Sequence, residues 1–308
     1  MSWKAILRKM REYPAIVGFV GIVIFFAVLS DRFFTLSNFL IILRQVSIQA
    51  IIAFGMTIVI ISGGIDLSVG SILAFSAVVL AGFLKSGSVF VAILMALLVG
   101  AAMGAANGFI IAKGKIQPFI VTLATMAIGR SLTLVYTQGM PITGFPRSFR
   151  FIGRGDIAGV PVPIVIMLSL FALMWFILHN TKLGLYSYAI GGNETAAKLS
   201  GVKVDRYKVV IYMISGVLSA VSGIILTARL NSAQPTFGVG YELDAIAAVV
   251  LGGASLAGGK GNILGTLFGA LIMGTLNNGL NILNVSPFYQ QAVKGIIILI
   301  AVLLEREN

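Results

Sequence analysis

Apolar runs long enough to cross a membrane recur along the whole of this 308-residue chain, separated by short polar breaks. A helix crosses the hydrocarbon layer with roughly 20 apolar residues. Runs of that kind fall near 14–30, 39–61, 67–84, 89–112, 117–136, 161–179, 208–228, 242–257, 262–283 and 287–304. The composition is 58% hydrophobic with 36 glycines, against 22 Lys and Arg and 10 Asp and Glu, far more apolar sequence than a soluble core requires. The expected fold class is therefore an all-α polytopic membrane protein of about ten transmembrane helices. No shift in composition marks a soluble domain, so residues 1–308 read as a single transmembrane domain.

The net charge of +12 does not point to nucleic acid, because the basic residues are scattered over loop ends and form no block with interleaved aromatics. It reads as orientation charge, since Lys and Arg collect on cytoplasmic loops. With both ends inside, thirteen Lys/Arg fall on inside loops and seven on outside loops, leaving Arg130 and Lys294 within or at the edge of spans. Loop 137–160 then faces outward and loop 180–208 faces the cytoplasm. Lys4, Arg8, Lys9 and Arg11 precede the first apolar run, and with no small-x-small cleavage pattern before Ser30 that run reads as a retained span. The absence of cysteine excludes thiol chemistry, and the lone His179 makes no metal site.

Between two apolar runs lies Ser62-Gly-Gly-Ile-Asp-Leu-Ser-Val-Gly-Ser71. Irregular backbone at membrane depth must be buried in protein or line a watery path, so Gly63, Gly64, Asp66 and Ser68 mark a break with a transport path or gate as its functional reading. Asp66 could line that path, or it could cap the next helix by accepting from the amide of Ser68 or Val69. Both roles are compatible.

The break has an echo. Gly63-Gly64-x-x-Leu67-x-x-Gly70 recurs as Gly252-Gly253-x-x-Leu256-x-x-Gly259, and Gly104-x-x-Asn107-Gly108 with Pro118-Phe119 recurs as Gly274-x-x-Asn277-Asn278-Gly279 with Pro287-Phe288. Duplicated halves with broken helices are a transporter pattern, and the halves here run roughly 39–136 and 208–304. The spacing between motifs differs by about one span, which makes the first motif pair parallel and the second inverted. One of the segments near 67–84 or 242–257 is then a candidate re-entrant half-helix.

Glu242 and Asp244 open the eighth run. Two apart on a helix, they do not face each other, which leaves a dipole role at the outer interface or a place in the path. Gly100, Gly104 and Gly108, with Gly265 and Gly269 in the second half, suit close helix packing. Asn107, Asn277 and Asn278 suit hydrogen bonds between helices or to a polar solute. In the inside loop, Asn193 is an N-cap, Glu194 and Lys198 form an i,i+4 pair, and Gly201 is a left-handed stop. Ala196 and Ala197 give this short helix a small-residue face for docking another protein; a surface linker helix is the plainer alternative. Gly253 to Gly261 lacks the Gly-Lys-Ser/Thr ending of a P-loop, so any ATP energy comes from a partner.

The segments Gly63–Ser71, Gly191–Gly201, Ser232–Pro235 and Gly240–Gly261 resemble the signature of the monosaccharide permeases of bacterial ABC importers, most closely the ribose type, over nearly the whole chain. The resemblance implies a non-enzymatic, multi-pass permease subunit in the lipid of a bacterial inner membrane, paired with a second permease subunit as a homodimer or pseudo-dimer. It implies a cytoplasmic ABC ATPase, with two fused cassettes, that uses ATP and Mg, and an extracytoplasmic sugar-binding protein; no cofactor is bound by this chain. Asn193, Glu194, Ala196, Ala197, Lys198 and Gly201 then correspond to the coupling helix. Permeases for galactose, xylose, arabinose and autoinducer-2 share much of the pattern, and a self-sufficient facilitator or ion-coupled transporter is the alternative of another class.

Overall fold

The computed structural model describes residues 14–306, which form thirteen helices and four two-residue strands. The helices are α1 (Pro14–Leu29), α2 (Leu36–Ile61), α3 (Val69–Ser86), α4 (Val89–Gly114), α5 (Pro118–Thr137), α6 (Arg147–Arg154), α7 (Val162–Asn180), α8 (Lys182–Gly192), α9 (Glu194–Leu199), α10 (Val204–Leu230), α11 (Tyr241–Leu251), α12 (Ile263–Ile282) and α13 (Pro287–Arg306). The strands are β1 (Ile142–Thr143), β2 (Asp156–Ile157), β3 (Val160–Pro161) and β4 (Ser232–Ala233). The basic cluster Lys4, Arg8, Lys9 and Arg11 lies outside the described residues.

Each apolar run coincides with a helix. Six helices, α2, α4, α5, α7, α10 and α12, are long and apolar enough to cross a membrane, and α1 and α3 contribute shorter apolar stretches. The run at 242–257 does not make a crossing: α11 has 11 residues, about 16 Å at 1.5 Å per residue against a hydrocarbon layer of about 30 Å. Of the two candidate half-helices, α11 is the short one.

Helix ends are fixed by local chemistry. Thr35, Ser88 and Asn262 accept backbone N–H groups as side-chain caps of α2, α4 and α12, and Pro118 and Pro287 sit at first helical positions. The two glycine breaks close alike. Gly63 takes φ +79° and Gly253 φ +87°, the left-handed conformation that glycine tolerates best. Around them, Gly64 donates to Val59 and Gly63 to Ile60, while Ala254 donates to Val249 and Gly253 to Val250. The sequence echo is thus a repeated helix-termination geometry.

Helix directions follow from close contacts. Any Cβ on Gly100, Gly104 or Gly108 of α4 would run into α10 backbone at Gly216, Tyr212 and Lys208–Val209 respectively, so the two helices are antiparallel and touch backbone to backbone. In lipid there is little hydrophobic drive between helices, and such small-residue seams supply the packing instead. α2 also runs against α10, since Ser222 donates to Ile48 O and Gly55 packs on Ser215. α12 runs against α2, through Thr57 with Thr266 at 2.8 Å and Asn38 with Asn278 in two reciprocal bonds of 2.9 and 3.0 Å. α11 packs against α12 at Gly252–Gly265 and Ala248–Gly269. The helices carrying Asn107 and Asn277 therefore run in opposite directions, while α2 and α11 reach their breaks in the same direction, the parity that the spacing predicts. Strand β1 pairs with β4 at one end of the bundle, hereafter the far end; loop 180–208 lies at the other, the loop end.

Candidate functional site: the helix breaks and the loop that meets them

After its break the chain turns back into the bundle, and α3 starts beside the middle of α10. Asp66 is fully buried there. Its Oδ1 accepts from the Ser68 N–H at 3.0 Å and the Ser68 hydroxyl at 2.5 Å, and its Oδ2 accepts from the Ser215 hydroxyl at 2.8 Å. Ser68 Oγ in turn accepts from Asn107 Nδ2 at 2.9 Å, and Asn107 Oδ1 accepts from Thr125 at 2.6 Å. Thr122 donates to Ile65 O at 3.2 Å. One carboxylate thus gathers the break, α4, α5 and α10 through a hydrogen-bonded chain. The arrangement meets the requirement that non-helical backbone at membrane depth be satisfied internally. Gly64 faces Tyr212, whose hydroxyl occupies the place a Cβ would take.

The segment leading into α11 packs on the start of α3, where Gly238 lies directly on Gly70. The chain after β4 dips against α3 before α11 starts, which brings Glu242 and Asp244 among neighbouring helices. The two acids do point apart. Glu242 accepts from the Gly240 N–H at 3.2 Å and lies with Arg130 against Gly70. Arg130 itself donates to Phe237 O. Asp244 is buried, pairs with Lys294 of α13 at 3.0 Å and accepts from Gln49 of α2 at 3.0 Å. The two basic residues that the loop count leaves in the spans therefore each sit beside one acid of α11.

At the loop end three glycine-rich segments converge. Gly259 N–H donates to Ile61 O at 2.9 Å. A Cβ on Gly191 would collide with Ile61 O and Gly259 N, and one on Gly258 would meet Gly191 O and Gly63. The Tyr188 hydroxyl donates to Gly261 O at 2.9 Å, and burial pushes the Tyr188 phenol above its ordinary range. Both breaks are thus locked to α8, and α8 leads directly into α9.

In α9 the Asn193 side chain accepts from the Ala196 N–H at 2.9 Å, and Gly201 takes φ +86°. Two expectations are corrected. Glu194 pairs with Lys208 of α10 at 2.7 Å and not with Lys198, because α9 ends after six residues and α10 returns alongside it. Ala197 faces inward on Ile190 and Val204, so it is not part of a docking face; every other side chain of α9 is exposed, among them Ala196, Lys198 and Leu199, the last 85% exposed.

Asn107 and Asn278 bridge helices, whereas Asn277 Oδ1 is buried without a hydrogen-bond partner among the described residues. Reading along the sequence missed Ser215, Thr125, Tyr188 and Leu199. A serine or threonine within an apolar run carries no signal until its neighbour in space is known, but Leu199, apolar in a polar loop, was visible.

Residues 38–302 match the protein family described as branched-chain amino acid transport system / permease component. The chain belongs to that family. The permease is 56% identical over 302 residues to the ribose import permease protein of Bacillus subtilis (strain 168), covering 97% of this chain and 94% of the relative. It is 51% identical over 310 residues to that of Escherichia coli (strain K12), covering 99% and 96%, and 52% identical over 304 residues to that of Haemophilus influenzae, covering 97% and 93%. No solved structure matches. Family and apolar helices together make the permease a multi-pass inner-membrane transport subunit of an ABC importer.

Proposed function

We propose that this permease carries ribose inward, as one subunit of a dimeric, ATP-driven importer working by alternating access. The observation that carries the coupling part of this reading is the joint at Ile61, Gly191 and Gly259, where both helix breaks meet the helix leading to α9. The ribose assignment follows the names of relatives at 51–56% identity.

In this reading α9 is the coupling helix, seated in a cytoplasmic ATPase of two fused cassettes that binds ATP and Mg. Leu199 supplies an apolar anchor and Lys198 a charge. Closure of the cassettes moves α9 and α8; the glycine joint passes that movement to α2 and α11 together, and the Asp66 cluster keeps the α3 end rigid against α4, α5 and α10. The sugar-binding protein delivers to the far end, which faces outward, and two copies of this chain, each contributing ten membrane segments with α11 as a half-helix, enclose the path. The repeat halves 39–136 and 208–304, with the coupling loop 180–208 between them, are the moving units of a single domain.

Uptake of labelled ribose into proteoliposomes tests the reading. Accumulation against a gradient that requires the permease, the ATPase, the binding protein and ATP together supports it, and downhill uptake by the permease alone overturns it.

A further inference from the structure

Between α2, α10, α11 and α12, in the far-end half of the bundle, lies a cavity of about 310 Å³ lined by Gln45, Gln49, Arg229, Tyr241, Asn277 and Asn281. We propose that this cavity is a transit site for one neutral monosaccharide, lined by one permease subunit and lying along the path that two copies enclose. The proposal rests on the importer reading and adds where in the chain the sugar sits.

Four carboxamides from two helices converge here. Gln45 and Gln49 are four apart on α2, and Asn277 and Asn281 four apart on α12, so each pair shares a helix face. Polar side chains within membrane helices face a protein interior or a watery cavity and mark solute pathways. Carboxamides suit hydroxyl ligands because each offers two donors and an acceptor, and a sugar hydroxyl needs both.

Three of the four are oriented or left with unused capacity by their surroundings. Gln49 spends its Nε2 on Asp244 at 3.0 Å, which leaves its Oε1 for a donor. Asn281 accepts from Gln290 at 2.8 Å, which leaves its Nδ2 for an acceptor. Asn277 Oδ1 is buried with no partner among the described residues; a buried acceptor without a donor is costly, and a ligand hydroxyl supplies the donor.

Charge and size narrow the ligand. Among the described residues Arg229 is the one charged side chain on the wall, while the Asp244 carboxylate beside Gln49 is spent on Lys294 and on Gln49 itself. An ammonium group therefore finds no counter-ion, which disfavours cations and amino acids, while the Arg229 guanidinium can donate to the oxygen of an uncharged hydroxyl. Leu226 and Leu230 give an apolar strip for the C–H face of a sugar ring. The volume stands at the small end of the roughly 300–1,000 Å³ typical of small-molecule pockets, enough for a monosaccharide and too little for an oligosaccharide.

The test uses the complete importer in proteoliposomes. Gln45→Leu and Asn277→Leu are each expected to lower the maximal uptake rate about tenfold, with the variant still reaching the membrane and copurifying with the ATPase. Uptake within about twofold of wild type for both overturns the proposal. Asn277→Ser, which keeps an uncharged donor and acceptor near that point, is expected to retain more uptake than Asn277→Leu; equal loss counts against a hydrogen-bonding role. The chain contains no cysteine, so Asn281→Cys carries the sole thiol of the permease. A water-soluble thiol reagent is expected to label it, and millimolar ribose, allose or arabinose to slow the labelling. No labelling, or labelling at one rate with and without every sugar, overturns the proposal. If wild type fails to accumulate ribose but another monosaccharide protects the introduced thiol of Asn281→Cys, the ribose assignment falls and the transit site stands.

Discussion

The backbone N–H of Gly259 donates to the carbonyl of Ile61 at 2.9 Å, joining the loop that ends α11 to the last turn of α2. Those two breaks lie almost two hundred residues apart in sequence. Gly191 wedges between them so closely that only a hydrogen fits where a side chain would begin. The joint is therefore a place where one substitution acts on three elements.

Gly191→Ala is expected to force this joint apart, because the atoms its Cβ meets are backbone and cannot swing away. Overpacking of this kind costs about 1–3 kcal/mol. Uptake should fall by about tenfold, the equivalent of ~1.4 kcal/mol. Gly192→Ala is the control, since its Cβ meets nothing within 4 Å. Equal uptake by the two variants would show that the joint transmits nothing.

Asp66→Ala removes the acceptor for Ser68 and Ser215 inside a buried cluster. Each donor left without a partner costs roughly 1–3 kcal/mol, so a lower melting temperature of the purified permease is expected. Ser215→Ala removes one bond and should lower it less. A melting temperature unchanged by Asp66→Ala would release Asp66 from the structural role and leave only a role in gating.

Lys294→Met strands the Asp244 carboxylate, which is 7% exposed, with Gln49 as its sole remaining partner among the described residues. Breaking a buried pair on one side typically costs about 3–5 kcal/mol, whereas replacing both partners is often near neutral. The single variant should be depleted from the membrane and Asp244→Leu with Lys294→Met restored toward wild type, read by immunoblot of membrane fractions. A double variant no better than the single would place the cost elsewhere than in the stranded charge.

Leu199→Asp changes a side chain that is 85% exposed and outside the permease's own core. Its melting temperature should stay within about 1 °C of wild type, as for surface substitutions generally, while copurification of the ATPase is lost. Retained copurification would remove Leu199 from the docking face.

Much of this architecture was legible along the chain. Hydrophobic runs gave the helices, and the Gly63-Gly64 and Gly252-Gly253 echo gave two breaks that close with the same backbone bonds. The α4 seam of Gly100, Gly104 and Gly108 was visible as a spacing, and Asp66 with Ser68 as a local cap. Each of these depends on neighbours within a few residues. Gln45, Gln49 and Asn281 drew no notice along the sequence, because four carboxamides in two apolar helices mean nothing until their convergence on one cavity is seen.

Partner choice was the part that sequence distance concealed. Glu194 has Lys198 one turn away yet pairs with Lys208, because the helix ends and the returning chain brings a second lysine closer. Asp244 and Lys294 are fifty residues apart, and Asp244 opens a short α11 whose preceding chain packs on Gly70. Sequence alone determined that this is a membrane protein, where its apolar helices run, where they break and that its two halves differ in parity, because hydrophobic length, glycine and capping act locally; it gave no sign of α6 or α8 in the two long loops. Tertiary structure alone decided which charges are neutralised, which amides face a cavity and which three loops meet, because those depend on helix direction and close backbone approach, and burial then makes each pairing obligatory.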